Sequence, residues 1–195
     1  LLIEKGEHMK SYDGSDFRIY PGHSLSKKIN KFNKSKDIQC IADFFLKMEN
    51  EAFFTLAAKL TNKKDNKGSG QGWHRDTYRP YQFKAMLYLT DVSHDNGPFQ
   101  ILDDTNTVAS LFELQKKYNI RYDQNRFEER EIDVLMDKRS IKTFTGNAGD
   151  LILFNSFTIH RGSPISEGTR FALTNYYLPE HYIEENKELL KTKFD

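Results

Sequence analysis

One short segment, Gly72-Trp73-His74-Arg75-Asp76, places an imidazole and a carboxylate two residues apart. Side chains alternate between the two faces of an extended strand, so His74 and Asp76 would point to one face and Trp73 and Arg75 to the other. His74 and Asp76 would then provide two of the three protein ligands of a metal ion. A second imidazole would complete a 2-His-1-carboxylate set, whose open positions suit a non-haem Fe(II) oxygenase. His160 is the candidate for that third ligand.

Arg170 is the next residue whose type suggests chemistry, and it follows His160 after a Gly-Ser-Pro turn and Gly168. If the two segments are antiparallel neighbours, Arg170 lies beside the metal but deeper in the fold. Its flanking residues offer no carboxylate, and a buried guanidinium must be paired. We therefore expect a dicarboxylate ligand that chelates iron at one end and forms a bidentate salt bridge with Arg170 at the other. A surface arginine at the start of a strand is the alternative.

Composition excludes several classes of function. The chain has 29 Lys and Arg against 28 Asp and Glu, so its charge indicates neither a nucleic-acid-binding protein nor one that binds an anionic membrane. Cys40 is the single cysteine, which fits a reducing compartment, and we expect it to be a small buried apolar residue. Without a signal pattern or a long apolar run, a soluble cytoplasmic protein is expected. The first residue is Leu1 and not methionine, so we expect further residues upstream.

The length of 195 residues favours one domain over 1–195. Residues 1–50 would be an N-terminal loop and helical support, with a strand near 17–20, a helix near Ser24 and a second helix from Asp37. An apolar stripe on that second helix is expected to be core, and it consists of Ile38, Ile41, Phe44, Phe45 and Met48. Residues 51–180 would be the β core, interrupted at 103–140 by a helical insertion with helices at 107–118 and 126–138. The insertion is interpreted as solvated, with a substrate lid as the alternative.

Short strands separated by Gly, Asn and Pro turns are predicted at 52–60, 82–92, 99–102, 141–145, 151–154, 158–162 and 170–178. The pattern predicts a mainly β (α+β) fold, a double-stranded β-helix or cupin-like jelly roll with N-terminal helices and a helical insertion. If even-numbered residues of the 82–92 strand face inward, Lys84, Met86 and Tyr88 line the barrel, and Phe83, Leu87 and Leu89 pack outside. A jelly roll closes early strands against late ones, which would bring His160 to His74 and Asp76.

Three blocks of the chain resemble the phytanoyl-CoA dioxygenase family of Fe(II)- and 2-oxoglutarate-dependent oxygenases. They are Trp73 to Asp76, the 82–92 strand with Asn96-Gly97-Pro98-Phe99, and Gly149-Asp150-Leu151 through His160-Arg161-Gly162-Ser163-Pro164 to Arg170 and Thr174-Asn175-Tyr176-Tyr177. The similarity covers roughly residues 50–180. It implies that His74, Asp76 and His160 are the catalytic iron ligands and that Arg170 binds the distal carboxylate of 2-oxoglutarate. It also implies a small hydroxyl near that carboxylate, for which Ser163 is the nearest match, and a cosubstrate contact near Met86, with Lys84 and Tyr88 on the same face.

The reaction that the resemblance implies consumes dioxygen and 2-oxoglutarate, releases succinate and carbon dioxide, and hydroxylates an unactivated carbon of a small molecule. Halogenating relatives carry a small residue in place of the carboxylate, so Asp76 favours hydroxylation. Three alternatives stay open. They are a cupin-type jelly-roll binding protein or sugar epimerase without oxygenase activity, a nucleic-acid demethylase, which the charge disfavours, and a degenerate family member retained as a scaffold, which the intact ligand set argues against. Residues near the expected cavity mouth would suit a polar or anionic substrate, with packing or surface roles as the alternative, and they are Trp73, Arg75, Tyr78, Arg79, Tyr81 and Arg161.

Overall fold

The computed structural model describes residues 7–49, 54–76, 82–136 and 139–179. Tyr78, Arg79 and Tyr81, predicted at the cavity mouth, lie outside the described residues. Across these ranges the chain forms antiparallel β-sheets with few helices. None of the helices in them combines the length and the apolar character that a bilayer crossing requires.

In the part of the chain that the structure describes, nine strands form two sheets. In chain order they are β1 (Glu7–Lys10), β2 (Asp16–Tyr20), β3 (Phe54–Thr61), β4 (Phe83–Tyr88), β5 (Phe99–Leu102), β6 (Ile141–Phe144), β7 (Leu151–Asn155), β8 (His160–Gly162) and β9 (Thr169–Tyr177). The larger sheet has the order β1-β2-β3-β9-β4-β7 and the smaller one β6-β5-β8. The whole of the early strand β3 lies antiparallel to β9, the last of these strands in the chain. Strands distant in sequence therefore become neighbours.

Among the described residues, five α-helices accompany the sheets: α1 (Gly22–Leu25), α2 (Lys27–Asn33), α3 (Lys36–Leu46), α4 (Val108–Tyr118) and α5 (Glu129–Leu135). The prediction that the apolar stripe of α3 is core is wrong beyond its first member. Ile38 is buried with Ala42 and Leu46 against Phe83 and Tyr177. Phe45 is partly exposed but still contacts the ring of Phe83, with centroids 5.5 Å apart, whereas Phe44 is 87% exposed and Ile41 and Met48 are exposed as well. The small side chain of Ala42 lets this face of the helix approach the sheet closely.

Cys40 is also exposed, contrary to the expectation that it is buried. It lies on the same helix, and it is not a member of the face that packs against the sheet.

The insertion between β5 and β6 is exposed on one face, as a solvated insertion would be, and packed on the other. Five of its buried apolar side chains form one cluster with Trp73, Leu102 and Ile159, and they are Leu114, Ile120, Phe127, Ile132 and Leu135. Trp73 is 1% exposed at the centre of this contact. The insertion therefore packs against the segment that carries His74.

Two local predictions about the strands differ from the structure. β8 and β9 are not neighbours, because β8 pairs with β5 in the small sheet while β9 pairs with β3 and β4 in the large one. The turn between them crosses from one sheet to the other instead of closing a hairpin. β4 ends at Tyr88, earlier than predicted, and Leu89 is 46% exposed instead of packing outside the sheet.

Candidate functional site

His74 and His160 are brought together by their own backbones. The peptide N–H of His74 donates to the carbonyl of His160 at 2.9 Å, and the N–H of His160 donates back to His74 at 2.7 Å. Residues directly opposite each other in an antiparallel pair share one face, and the two imidazole centroids lie 4.4 Å apart. Residues 72–76 are not a regular strand, because His74 is paired only through isolated bridges.

Asp76 completes the group. Its backbone N–H donates to the carbonyl of Ser156, which fixes the segment beyond His74. One carboxylate oxygen lies 3.7 Å from Nε2 of His74, and the other lies 3.6 Å from Nε2 of His160. One ligand atom from each of the three residues can be chosen so that all lie within 4.8 Å of one another. Two ligands at right angles, each about 2.1 Å from one ion, would be about 3 Å apart, so a small contraction closes these side chains around a metal.

The tautomer of both histidines is set by the backbone. Nδ1 of His74 lies 2.9 Å from the carbonyl of Gly72, and Nδ1 of His160 lies 2.7 Å from that of Thr158. A carbonyl only accepts, so each Nδ1 carries the hydrogen and each Nε2 lone pair is left for a metal. Burial lowers the pKa of His74 to about 3 and also lowers the pKa of His160. Both rings are therefore neutral at pH 7, as metal ligation requires.

Lys84 balances the charge of Asp76. Its ammonium is 4% exposed, lies 2.5 Å from Oδ2 of Asp76 and sits 3.9 Å from the centroid of the Tyr176 ring. Burial would raise the pKa of Asp76, but Lys84 and the two histidines hold it well below its usual range. Burial would likewise lower the pKa of Lys84, and the ion pair raises it instead. Both groups are charged, so the carboxylate is ready to bind a cation.

Arg170 lies in the same cavity as the three ligand residues, on β9. It is 3% exposed, and its guanidinium donates to the carbonyl of Gly97. No carboxylate pairs with it among the described residues. A buried guanidinium without an anion is unfavourable, so the cavity is suited to an anionic ligand at this end. Because β8 and β9 belong to different sheets, Arg170 and His160 reach the cavity from opposite sides of the fold.

The remaining predicted residues divide into two groups. Lys84 and Met86 line the cavity with the ligand triad, as the assumed parity of β4 requires. Tyr88 is fully buried; its hydroxyl donates to the carbonyl of Phe144 and accepts from the N–H of Phe99, so it ties strands together and is absent from the cavity lining. Ser163 is also absent from the lining, and Gly162 is present there instead.

Trp73, Arg75 and Arg161 are not free residues at a cavity mouth. The guanidinium of Arg75 is 2% exposed and donates to the carbonyls of Gln124 and Tyr122 at 2.7 and 2.9 Å. Arg161 stacks over Trp73 at 4.4 Å and pairs with Glu129 at 2.5 Å. These side chains have packing and positioning roles, which is the alternative that the sequence left open for each of them.

Gly70 is a functional position that the sequence reasoning missed. It has a φ of +82°, and an added Cβ would overlap Cε1 of His74 and lie 2.9 Å from both ring nitrogens. Only glycine lets the backbone pass this close to a ligand ring. The signal was present in the alternate glycines at 68, 70 and 72, all of which have positive φ.

Comparison with known proteins gives a family and a fold. The family model described as Phytanoyl-CoA dioxygenase (PhyH) matches residues 12–172. Among curated protein sequences, none matches this chain.

Solved structures that contain 2-oxoglutarate, some with iron or nickel, are similar to the chain. The epimerase SnoN, in complex with Fe3+, alpha ketoglutarate and nogalamycin RO, has a TM-score of 0.67 at 15% identity over 91% of this chain and 70% of its own. HygX from Streptomyces hygroscopicus, with nickel, 2-oxoglutarate and hygromycin B bound, has a TM-score of 0.59 at 14% identity over 91% and 75%. EctD from S. alaskensis, with 2-oxoglutarate and 5-hydroxyectoine, has 0.65 at 18% over 83% and 55%. At these identities the likeness shows a shared fold.

Proposed function

Because the chain belongs to the phytanoyl-CoA dioxygenase family, we propose that it is an Fe(II)- and 2-oxoglutarate-dependent dioxygenase that hydroxylates an unactivated carbon of a small molecule. In this proposal residues 1–195 form a single catalytic domain, and its two sheets are the two faces of a double-stranded β-helix. His74, Asp76 and His160 hold the iron, and Arg170 holds the distal carboxylate of 2-oxoglutarate.

The observation that carries the proposal is the presence of two complementary groups in one cavity. Two neutral imidazoles and one carboxylate form a donor set that suits ferrous iron and leaves coordination positions open. Arg170, buried and without a carboxylate partner among the described residues, supplies the charge that a dicarboxylate needs. A jelly-roll binding protein or a cupin-type epimerase would not need both groups together.

When bound, iron and 2-oxoglutarate supply the oxidative chemistry: dioxygen and 2-oxoglutarate are consumed, carbon dioxide and succinate leave, and one oxygen atom enters a C–H bond. The chain's own residues orient the participants. The carbonyls of Gly72 and Thr158 hold the rings of His74 and His160 in the tautomer that exposes Nε2. Lys84 engages Oδ2 of Asp76, which leaves Oδ1 as the freer ligand atom.

Two aromatic residues restrict water at the ligand triad. The rings of Phe99 and Phe154 lie 5.5 and 5.4 Å from the ring of His160, and both line the cavity. An apolar wall keeps water from the reacting centre and strengthens the electrostatic interactions within it. Their contribution is exclusion and not proton transfer.

The test measures succinate formation from 2-oxoglutarate by the anaerobically Fe(II)-loaded protein after air is admitted. We expect turnover in the wild type and none in His74→Ala or Asp76→Ala, with 2-oxoglutarate affinity reduced in Arg170→Ala. Undiminished turnover in Asp76→Ala would rule out this ligand set. A wild type that binds metal but neither binds nor consumes 2-oxoglutarate would favour the alternative of a jelly-roll binding protein or epimerase without oxygenase activity.

A further inference from the structure

A second cavity adjoins the ligand triad. It shares Arg18, Gly70, His74 and Asp76 with the cavity that contains Arg170, and its other lining residues include Lys10, Asp16 and Arg126. Arg170 and His160 are not part of it. We call this space, about 180 Å³ in volume, the side cavity. The side cavity borders His74 and Asp76, and Arg170 does not line it.

Charges in the side cavity do not cancel. Arg18 pairs with the buried carboxylate of Asp16 at 2.7 Å, so these two neutralise each other. Asp76 is paired with Lys84 and is the proposed ligand of a divalent ion. Lys10 and Arg126 have no carboxylate partner in the part of the chain that the structure describes. Asp76 acts on Arg126 electrostatically, but among the described residues no carboxylate forms an ion pair with either cation.

Arg126 is held in place by the metal-binding segment itself. Its backbone forms an antiparallel bridge with His74, and the neighbouring residues continue the pairing, with Arg75 N–H donating to Asn125 and Phe127 N–H donating to Trp73. Its guanidinium donates through Nη1 to the carbonyl of Gly70. The other donors of the guanidinium have no hydrogen-bond acceptor among the described residues. A second ligand could thus be bound beside the iron at a fixed position.

The other arginines of this region show what a purely structural role looks like. Arg75 is enclosed by backbone carbonyls and by the rings of Phe127 and Phe157, at 5.7 and 5.5 Å from their centroids. Arg161 is neutralised by Glu129 and covers Trp73. Arg126, which lies in the insertion, has neither arrangement. Its free donors face a cavity that ends at His74 and Asp76.

We propose that the side cavity binds an anionic group of the substrate, a phosphate or a carboxylate, through Arg126 and Lys10. The inference rests on the proposed function and narrows it: the enzyme acts on acidic small molecules whose target carbon is held next to the iron by their charged end. Arg126 is the residue that determines this specificity, because the insertion fixes its guanidinium whereas Lys10 is a flexible point charge on an edge strand.

The test uses anaerobic protein loaded with Fe(II) and saturating 2-oxoglutarate, so that Arg170 is occupied. Formation of the complex with iron and 2-oxoglutarate is measured by its visible absorption. Glucose 6-phosphate and gluconate are the phosphate and carboxylate probes, inorganic phosphate is the minimal anion, and glucose is the neutral control. We expect the anions to perturb the absorption and glucose to have no effect. The comparison between glucose 6-phosphate and gluconate then shows which anionic group the cavity prefers.

Matched variants assign the effect to residues. Arg126→Gln should weaken binding of the anions at least about tenfold, which is the loss expected for a hydrogen bond between charged groups, and Arg126→Lys should restore part of it. Lys10→Gln provides a second test at an exposed position that does not support the fold. Arg130→Gln, an equal loss of charge on an exposed side chain of the same insertion paired with Glu128, should leave anion binding unchanged.

Two outcomes would overturn the inference. One is equal binding of glucose and the anions. The other is anion binding that is unchanged in both Arg126→Gln and Lys10→Gln, which would assign the anion to the metal itself. A wild type that fails to load with iron and 2-oxoglutarate refutes the proposed function instead and removes the basis of this inference with it.

Discussion

Replacing Gly70 with alanine should displace a metal ligand that the substitution does not itself remove. The new Cβ would overlap Cε1 of His74 and lie 2.9 Å from Nδ1 and Nε2, so the ring would have to move by roughly 1.4 Å to reach ordinary van der Waals separation. The loop cannot retreat instead, because Gly70 N–H donates to the buried Asp16 and its carbonyl accepts from Arg126. A shift of that size takes Nε2 out of bonding range. We expect metal affinity to fall about 10- to 100-fold, as for other losses of ligand orientation.

Gly149→Ala is the matched control for this experiment. Both glycines have left-handed φ values, +82° and +103°, so alanine costs about 1–2 kcal/mol of backbone strain at either position. At Gly149, however, an added Cβ meets nothing within 4 Å. Calorimetric titration of Co(II) and thermal unfolding of the metal-free proteins separate the two effects. Equal metal affinities in the two variants would refute the claim that close packing of Gly70 orients His74.

Three further predictions concern the surroundings of the site. Gly162→Ala would bring a Cβ within 2.9 Å of Nη2 of Arg170 and 2.7 Å of Ser69 Cβ. The affinity for 2-oxoglutarate, measured by titration of the Co(II) protein, should therefore fall about tenfold while metal affinity is retained. A loss of metal affinity with unchanged 2-oxoglutarate affinity would contradict this prediction. Arg75→Met should reduce the free energy of unfolding by about 3 kcal/mol in denaturant titrations, since two carbonyls lose a charged donor, whereas Arg121→Met, which removes an exposed pair with Asp123, should cost under about 1 kcal/mol. Burial lowers the pKa of His74 to about 3, so between that value and 6.5 the unfolded chain binds more protons than the folded one. The free energy of unfolding of the metal-free protein should therefore fall as pH falls through this window, and it should fall less steeply in His74→Gln. Parallel plots of that free energy against pH for the two proteins would contradict this.

Much of the fold could be predicted because its signals are local. The strand at 99–102 and the helix from 107 depend on nearby alternation, turns and caps, and their bounds agree with the structure within a residue. The prediction for α3 was wrong because two faces of that helix carry apolar residues, and only the packing of Ala42 against the sheet selects between them. The crossing between β8 and β9 was also missed, since a Gly-Ser-Pro turn fits a hairpin and a change of sheet equally well.

His74 and Asp76 could be named as candidate ligands from their local spacing, but the other residues that line the cavity could not be predicted in this way. His74 and Asp76 stand at a spacing that places them on one face, and the flanking motifs gave that spacing its meaning, whereas Tyr88 and Ser163 had the expected residue types and were nevertheless excluded from the cavity lining. Whether a side chain lines a cavity depends on its neighbours in space. The neighbours of Tyr88 are the backbone groups of Phe99 and Phe144, which use both functions of its hydroxyl.

The alternation that predicted the ligands also accounts for the part of the site that the sequence did not reveal. His74 and Asp76 line the cavity, whereas Trp73 and Arg75 point the other way and contact the insertion through an apolar cluster and backbone carbonyls. The insertion therefore lies alongside residues 73–75. Its backbone pairing with His74 places Arg126 in the lining of the side cavity. The outer face of one short segment thus positions the cation next to the ligands on its inner face. For this reason, a substitution at Arg75 that leaves the fold intact should also alter anion binding in the side cavity, although Arg75 itself never contacts it.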